Sequence, residues 1–303
     1  MTLDYELVLT REEKAVYALR SIFKSAGYSL YKMSKFEEYD LYARNKDFLV
    51  SDNIITFTDT DGRLLALKPD VTLSIIKNYR DTGTTQKLFY NENVYRVSRG
   101  TGSYREIMQA GLECIGDVTE GDIKEVISLA ARSLGAISPE YVLDVSSLDA
   151  VSAVLDFFGI AGEDRKRALG YLGEKNAQGL ISLSRELGLG QGAEDKLTML
   201  VGLYGRADDV LPRLDALRLN DAASAAIDAL SRAVEDSLGC VNIDFSLLGD
   251  MKYYNGIAFS GFISGIPTAV LRGGQYDRML ERIGKRCRAI GFAVYLDELE
   301  SLS

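Results

Sequence analysis

Three arginines surround a glycine-rich turn in the first half of the chain. Arg96, Arg99 and Arg105 lie within ten residues, around the sequence R-G-T-G-S at 99–103. A guanidinium group forms paired hydrogen bonds to phosphate or carboxylate, so this cluster could bind an anion. Arginines are equally typical of the solvated tip of a β-hairpin, and the residues alone leave both interpretations open.

A second polar pattern follows the strand after this turn. Arg105, Gln109 and Glu113 are spaced by four residues, and alternate residues of a strand share one face. Gly111 leaves room between the last two. A buried line of Arg, Gln and Glu is costly unless its members are paired or face a ligand. The spacing therefore favours a site for a polar small molecule.

Asp70 stands at the start of a predicted helix, in the sequence L-K-P-D-V-T. The helix dipole stabilises an acid there, which is a sufficient explanation for Asp70 alone. If the fold brings Asp70 close to Gln109 and Glu113, it could instead hold a ligand ammonium group. The sequence R-G-G-Q-Y-D at 272–277 is not the G-x-G-x-x-G of a dinucleotide site and predicts a tight turn between strand and helix.

The composition removes several classes of chemistry. The chain contains no histidine, which excludes a His general base, a Ser–His or Cys–His dyad and a His-ligated metal. The three cysteines, Cys114, Cys240 and Cys287, are far apart and form no C-x-x-C pair, as expected of reduced thiols. No Ser, Cys or Lys stands in a nucleophile motif. We expect no catalytic residue, no metal and no cofactor.

The charge balance and the termini indicate where the protein acts. Lys+Arg 35 against Asp+Glu 44 gives a net charge of −9, and an acidic chain is poorly suited to nucleic acid. The first ten residues lack the basic and apolar regions of a signal peptide. No apolar run approaches the roughly 18 residues of a membrane helix. We therefore expect a cytoplasmic protein, with no membrane contact, that binds small molecules or protein partners.

The elements that must position these residues can be predicted from periodicity and capping. Before residue 150 we expect a helix from Thr10, with Glu13 completing a capping box, a hairpin at 54–58 and 63–67, a helix from Pro69, long strands at 86–98 and 104–116, a helix capped by Thr119 and a strand at 141–145. After residue 240 we expect strands at 241–246, 255–263 and 267–272, a helix from Asp277, and a strand–helix pair at 289–299.

Between these two parts the strand signals vanish, and Ala, Leu, Arg and Glu recur at helical spacing. We predict an antiparallel-rich α+β fold. Its core is discontinuous, formed by residues 1–149 and 241–303, and residues 150–240 form a helical insertion.

Together these segments resemble the catalytic core of histidinyl-tRNA synthetase, a class II aminoacyl-tRNA synthetase. The resemblance covers residues about 1–146 and 241–299. The first matching segment is residues 56–72, which in the synthetase present an acid to the amino group of histidine. Motif 2 follows at 87–98 and 103–116. A first histidine signature, M-K-Y-Y-N-G, lies at 251–256, and a second signature with motif 3 lies at 272–280 and 289–299. The resemblance implies a class II synthetase-like antiparallel sheet flanked by helices.

The resemblance also implies a histidine-like pocket. Asp70, Gln109 and Glu113 match positions that hold the ammonium group and orient the ligand, and Tyr254 and Tyr276 match tyrosines that line the imidazole site. The full implied set is Asp70, Arg105, Gln109, Glu113, Tyr253, Tyr254 and Tyr276. Without the resemblance, the paired tyrosines would be ordinary core or edge-strand aromatics.

The chain departs from the synthetase where ATP is handled. Arg96 matches an arginine that grips the ATP phosphate, but Ser98 replaces the acid two residues later. Glu298 stands where motif 3 has an arginine, and an acid there repels a triphosphate. Further departures are Gly249 for a catalytic arginine, Lys252 for an aspartate and Ser34 for the motif 1 proline. Because the sequence ends shortly after motif 3, we expect no anticodon-binding domain and no tRNA partner.

A synthetase-like chain with a disabled ATP site resembles the regulatory subunits of short-form ATP phosphoribosyltransferase. That resemblance implies a non-enzymatic homodimer that binds the catalytic subunit in a hetero-oligomer, expected to be a hetero-octamer, with L-histidine as a feedback ligand. Arg96 and Arg99 are candidate anion ligands. The alternative is a free-standing histidine-binding synthetase paralogue, acting as a sensor or an amino-acid-activating enzyme.

Overall fold

The computed structural model describes residues 8–45, 54–98, 101–248 and 253–301. The strands in these ranges are β1 Ser29–Leu30, β2 Phe36–Glu38, β3 Thr56–Thr58, β4 Leu64–Leu67, β5 Gln86–Val97, β6 Tyr104–Gly116, β7 Tyr141–Ser147, β8 Tyr204–Arg206, β9 Asn242–Asp244, β10 Asn255–Ile263, β11 Leu271–Gln275 and β12 Arg288–Tyr295.

The α-helices are α1 Arg11–Ser25, α2 Tyr39–Ala43, α3 Val71–Asn78, α4 Glu120–Ile137, α5 Leu148–Phe157, α6 Gly162–Gly173, α7 Ala177–Glu186, α8 Gln191–Gly202, α9 Ala207–Val210, α10 Asp221–Val234 and α11 Asp277–Arg282. Segments of 3-10 helix occur at Leu211–Leu217, Glu235–Cys240 and Leu296–Ser301.

The first helix begins where the sequence predicts it. The Thr10 hydroxyl accepts a hydrogen bond from the Glu13 backbone N–H at 3.2 Å, and the Glu13 carboxylate accepts one from the Thr10 N–H at 2.9 Å. This capping box satisfies N–H groups that the start of a helix leaves unpaired. Thr119 and Asp122 form the same arrangement at the start of α4. Both capping predictions are confirmed.

A large sheet organises the molecule. Its strand order in the described chain is β1-β5-β6-β12-β11-β10-β7-β9-β8. Neighbours run antiparallel except in the pairs β1–β5 and β7–β9. Because β6 pairs with β12, the sheet joins strands from before and after the helical region. The predicted antiparallel-rich α+β class is confirmed.

The two faces of the sheet carry different cores. On one face a large apolar cluster includes Leu112 and Phe259 from the sheet together with Leu180 and Leu197 from α7 and α8. A smaller cluster, which includes Tyr90, Val71 and Tyr276, covers part of the other face. The helical region thus shares its apolar core with the sheet, and its delimitation at 150–240 stays a prediction.

A small sheet of strand order β2-β4-β3 lies beside the large one. β3 and β4 form the predicted hairpin, with Thr58 opposite Leu64. One face of this sheet carries Phe36, Glu38, Phe57, Leu65 and Leu67, since opposite residues of antiparallel strands share a face. The Phe36 and Phe57 rings meet edge to face, with centroids 5.3 Å apart.

Three predicted elements differ from the structure. Pro69 precedes helix α3 instead of opening it, because Asp70 keeps an extended backbone and caps the helix. The strand predicted at 267–272 lies at Leu271–Gln275, since Pro267 has no N–H for a ladder. Gly273 and Gly274, read as a turn, therefore lie within the strand. β8 was not expected, because Gly205 at its centre weakens the strand pattern.

Candidate functional site

Asp70 occupies the junction between β4 and α3. Its carboxylate accepts the backbone N–H of Leu73 at 2.8 Å and so caps the helix. The side chain is buried, and this burial raises the pKa of Asp70 despite the hydrogen bonds and the nearby positive charge of Arg96. The ionised form of Asp70 is therefore unfavourable unless a cation lies close to it.

Glu113 is the most deeply enclosed acid of the site, with 2% of its surface exposed. One carboxylate oxygen accepts the Tyr276 hydroxyl at 2.6 Å, and the other accepts the Thr72 hydroxyl at 2.7 Å. Burial raises the pKa of Glu113 to about 8, and the charge of Asp70 contributes to the rise. Asp70 and Glu113 thus lie in the same buried region, and a cation between them would stabilise the ionised forms of both.

Tyrosine rings enclose this acid pair. The Tyr253 ring centroid lies 4.7 Å from that of Tyr254 and 6.0 Å from that of Tyr276. Tyr90 is buried next to them, where the charges of Glu113 and Asp70, added to burial, raise its pKa. Such rings provide flat apolar walls and hydroxyl groups, which suit a small ring-bearing ligand with polar edges.

The floor of the site requires a glycine. Gly291 lies opposite Glu113 in the β6–β12 register. A Cβ atom added there would overlap the Glu113 carboxylate and come within 2.5 Å of the Leu112 carbonyl oxygen. The sequence could not reveal this contact, because it depends on the pairing of strands 178 residues apart.

The predicted pocket residues do not all meet. Asp70, Glu113, Tyr253, Tyr254 and Tyr276 form one cluster. Gln109 is buried on the same face of β6, opposite Tyr295 and four residues from Glu113, or about 14 Å along the strand. The predicted common face is therefore present, although Gln109 stands at the edge of the acid cluster.

Arg96 and Arg105 lie opposite each other toward the far end of the hairpin. Arg105 is eight residues, or about 27 Å of strand, from Glu113, and its guanidinium forms an ion pair with Asp297 at 2.9 Å. Arg96 donates to the Pro69 carbonyl oxygen at 3.1 Å, beside Asp70. The structure therefore separates Arg105 from the acid cluster, while Arg96 borders it. Arg99, Gly249 and Lys252 lie outside the described residues.

A buried ion pair beside the site was missed by the sequence analysis. The Lys68 ammonium lies 2.9 Å from the Glu92 carboxylate, with 0% of the lysine and 17% of the glutamate side chain exposed. Glu92 is opposite Gln109 on the site face. Thr72 was also missed, although it lies two residues after Asp70 on a helix predicted to start there.

The position of the missing motif 3 arginine carries negative charge. Glu298 accepts the Thr268 hydroxyl at 2.6 Å. Its neighbour Asp297 is partly buried, which raises the pKa of that carboxyl group, and pairs with Arg105. The end of β12 is therefore acidic, which disfavours a polyphosphate there.

The described residues contain no group of His, Cys, Asp or Glu arranged to hold a metal ion. Among the helices that the structure describes, none is both long and apolar enough to cross a membrane.

Comparison with known proteins shows similarity over nearly the whole chain. The family model described as Histidyl-tRNA synthetase matches residues 8–299. A protein named ATP phosphoribosyltransferase regulatory subunit from Oceanobacillus iheyensis is 27% identical over 302 residues, covering 96% of this chain and 74% of the relative. One of the same name from Caldanaerobacter subterraneus is 28% identical over 306 residues, covering 98% and 78%.

A solved structure from Bacillus halodurans agrees with these sequences. Its description is "ATP phosphoribosyltransferase regulatory subunit/histidyl-tRNA synthetase". It has a TM-score of 0.84 and 25% identity, and covers 97% of this chain and 79% of its own. The predicted class II synthetase-like fold is confirmed.

Proposed function

Because the chain belongs to the histidyl-tRNA synthetase family, we propose that it is a non-catalytic regulatory subunit of an ATP phosphoribosyltransferase, as its relatives are named. It binds a short catalytic subunit, supports the first step of histidine biosynthesis and transmits feedback inhibition by L-histidine.

The buried acid pair carries the proposal for histidine. Glu113 and Asp70 are both buried, and burial raises the pKa of each. A ligand ammonium group supplies the positive charge that stabilises their ionised forms. The tyrosines around them suit an imidazole ring, which has one hydrogen-bond donor and one acceptor when neutral.

The acidic end of β12 favours a regulatory role and argues against amino-acid activation. Activation by ATP requires cations at the polyphosphate. Here Glu298 replaces such a cation, and Arg105 is already paired with Asp297. A free amino acid needs none of these groups for binding, so loss of the ATP site is compatible with a retained ligand pocket.

Feedback requires more than binding. Histidine must bind the active and inhibited assemblies with different affinity, because a ligand of equal affinity shifts no equilibrium. A coupling of about 1–3 kcal/mol gives a 5- to 150-fold effect.

The deciding experiment measures phosphoribosyl-ATP formation by the short catalytic subunit of the same organism, with and without this chain, during a histidine titration. We expect activation by the chain and inhibition by histidine only when the chain is present. Activation without inhibition would remove the sensing role and keep the partner. Absence of both, together with histidine-stimulated ATP–pyrophosphate exchange, would favour an amino-acid-activating enzyme.

We further propose that the largely apolar face of the small sheet, which also carries the exposed Glu38, joins two copies of the chain. Phe36 is 50% and Phe57 37% exposed on this face, next to Leu65 and Leu67. A two-fold dimer brings the same patch of both subunits together, so an apolar face suits it. This dimer is the unit from which we expect the hetero-octamer to form.

The substitution Phe57→Glu should convert the dimer into a monomer, because it places a charge at the centre of the apolar contact. Light scattering coupled to size exclusion measures the change. Leu64→Glu is the matched control, since Leu64 is also exposed but points to the other face of β4. A dimer that survives Phe57→Glu, with unchanged thermal unfolding, would contradict this interface.

A further inference from the structure

Helix α3, which starts in the acid cluster, is held at its other end by a lysine from a distant part of the chain. The Lys285 ammonium donates hydrogen bonds to the backbone carbonyl oxygens of Ile76, Lys77 and Tyr79. These carbonyls stand at the C-terminal end of α3, where a helix leaves such groups without partners. The ammonium also lies 5.3 Å from the centroid of the Tyr79 ring. The helix dipole favours a cation at this end.

A turn after α11 sets the position of this lysine. The Gly284 N–H donates to the Glu281 carbonyl oxygen at 2.9 Å, and the Lys285 N–H donates to the Leu280 carbonyl oxygen at 2.9 Å. With a φ of +77° at Gly284, this is the Schellman arrangement that ends many helices. Glycine suits the position because a Cβ atom makes the left-handed backbone conformation unfavourable. The turn therefore brings Lys285 to the end of α3.

The starts of α3 and α11 meet at Glu113. Thr72, in the first turn of α3, donates its hydroxyl to one carboxylate oxygen, and Tyr276, which directly precedes α11, donates to the other. Asp70 caps α3 at the same end. The starts of the two helices are thus joined through Glu113, and their ends are joined through Lys285.

Apolar packing contributes to both helices but does not fix their position by itself. Leu73 and Ile76 of α3 belong to the same buried cluster as Met279 and Leu280 of α11. Burial of apolar surface is not directional, so it tolerates a shift of a helix along its axis. The hydrogen bonds at the two ends are directional and restrict that shift.

We infer that Lys285 is a positioning residue of the acid pair. By joining the ends of α3 and α11, it fixes where Asp70 and Thr72 stand relative to Glu113. It thereby holds the gap that receives the ligand ammonium group. This inference rests on the proposed function and adds a residue outside the pocket that sets the affinity for the ligand.

The effect on affinity follows from the geometry of a charged hydrogen bond. The lysine acts from the far end of a helix of eight residues, which is about 12 Å long. An ammonium group needs carboxylate oxygens at about 2.8 Å. Even a small shift of α3 therefore weakens the contact with one acid of the pair.

Calorimetry tests this role by measuring the dissociation constant of L-histidine for the wild-type chain, Lys285→Met and Lys285→Arg. We expect Lys285→Met to weaken binding about 10-fold. Lys285→Arg should restore most of the affinity, because a guanidinium also donates to several carbonyl oxygens. Arg286→Met is the matched control, since it removes an exposed positive charge from the next residue. It should leave the affinity unchanged.

A double-variant cycle separates positioning from a general loss of stability. Thr72→Val removes the hydroxyl that donates to Glu113. If Lys285 acts through the start of α3, Lys285→Met should weaken binding much less in the Thr72→Val chain than in the wild-type chain. A general loss of stability weakens binding by the same factor in both, and equal factors would overturn the positioning role.

Gly284→Val is a second variant, which serves if Lys285→Met does not fold. It keeps the lysine and its charge but disfavours the turn, because a β-branched residue rarely adopts a positive φ. It should also weaken histidine binding. Wild-type affinity in both variants would overturn the positioning role and leave the regulatory function intact. Failure of the wild-type chain to bind histidine would instead refute histidine sensing, and the positioning role with it.

Discussion

Replacement of Glu113 by glutamine should weaken histidine binding about 100-fold and shift the inhibition curve by the same factor. Glutamine preserves the shape of the side chain and can still contact Tyr276 and Thr72, but it cannot neutralise a ligand ammonium group. Calorimetry and the coupled phosphoribosyltransferase assay measure the two effects. Activation of the catalytic subunit should remain, because Glu113 is buried and exposes almost no surface to a partner.

The pH dependence of this effect has a defined sign. Glu113 must be ionised to hold the ammonium group, and its pKa in the folded, ligand-free chain is about 8. The ratio of wild-type to Glu113→Gln affinity should therefore rise with pH by up to about tenfold per unit between about pH 6 and pH 8, and level off above that range. Titration of the ligand itself affects both proteins equally and cancels in the ratio.

Glu106 offers a matched control on the same strand. It is exposed and lies on the opposite face of β6, where Asn93 and Tyr95 donate to its carboxylate. Glu106→Gln should leave histidine binding unchanged at every pH. Wild-type sensitivity to histidine in Glu113→Gln would refute the pocket assignment.

The largest effect on stability should come from breaking the Lys68–Glu92 ion pair beside the site. Replacing Glu92 by methionine should lower the free energy of unfolding by about 3–5 kcal/mol. The reason is that the Lys68 ammonium has no exposed surface and loses its carboxylate partner. Urea unfolding at pH 7 measures the change.

Replacing the lysine of the pair instead should destabilise the protein less. Lys68→Met leaves a carboxylate that still reaches water, since the Glu92 side chain is 17% exposed. The double variant, with methionine at both positions, should regain most of the stability, because no unpaired charge remains. The exposed pair Lys166–Glu163 provides the control, and Glu163→Gln should change stability by less than about 1 kcal/mol. If Glu92→Met and Lys68→Met lowered the free energy of unfolding equally, the burial of the Lys68 ammonium would not explain the effect.

Local patterns in the sequence predict much of this fold. The Thr10–Glu13 and Thr119–Asp122 capping boxes fix helix starts because their hydrogen bonds span three residues. The spacing of Gln109 and Glu113 predicts a shared face because strand geometry repeats every two residues. The resemblance to a synthetase then identifies the tyrosines, which no local pattern distinguishes from core residues.

The missed features depend on contacts between distant segments. Lys68 directly follows β4 and Glu92 lies within β5, so only the packed structure reveals their ion pair. The same holds for Arg105, which the spacing assigns to the pocket but which reaches Asp297, 192 residues later. The glycines at 273 and 274 suggest a turn locally, yet they lie in β11, where the Tyr254 ring occupies the space that a Cβ on Gly274 would need.

The pairing of β6 with β12 also constrains how the chain folds during synthesis. The β6 edge of the sheet stays without its final neighbour until Arg288–Tyr295 has been made, more than 170 residues later. At about 5–20 residues per second, this delay is on the order of 10–40 s. During that time an unpaired strand edge is exposed to other nascent chains. Shielding of this edge during synthesis should therefore favour folding in the cell, and chaperone supply should raise the soluble yield.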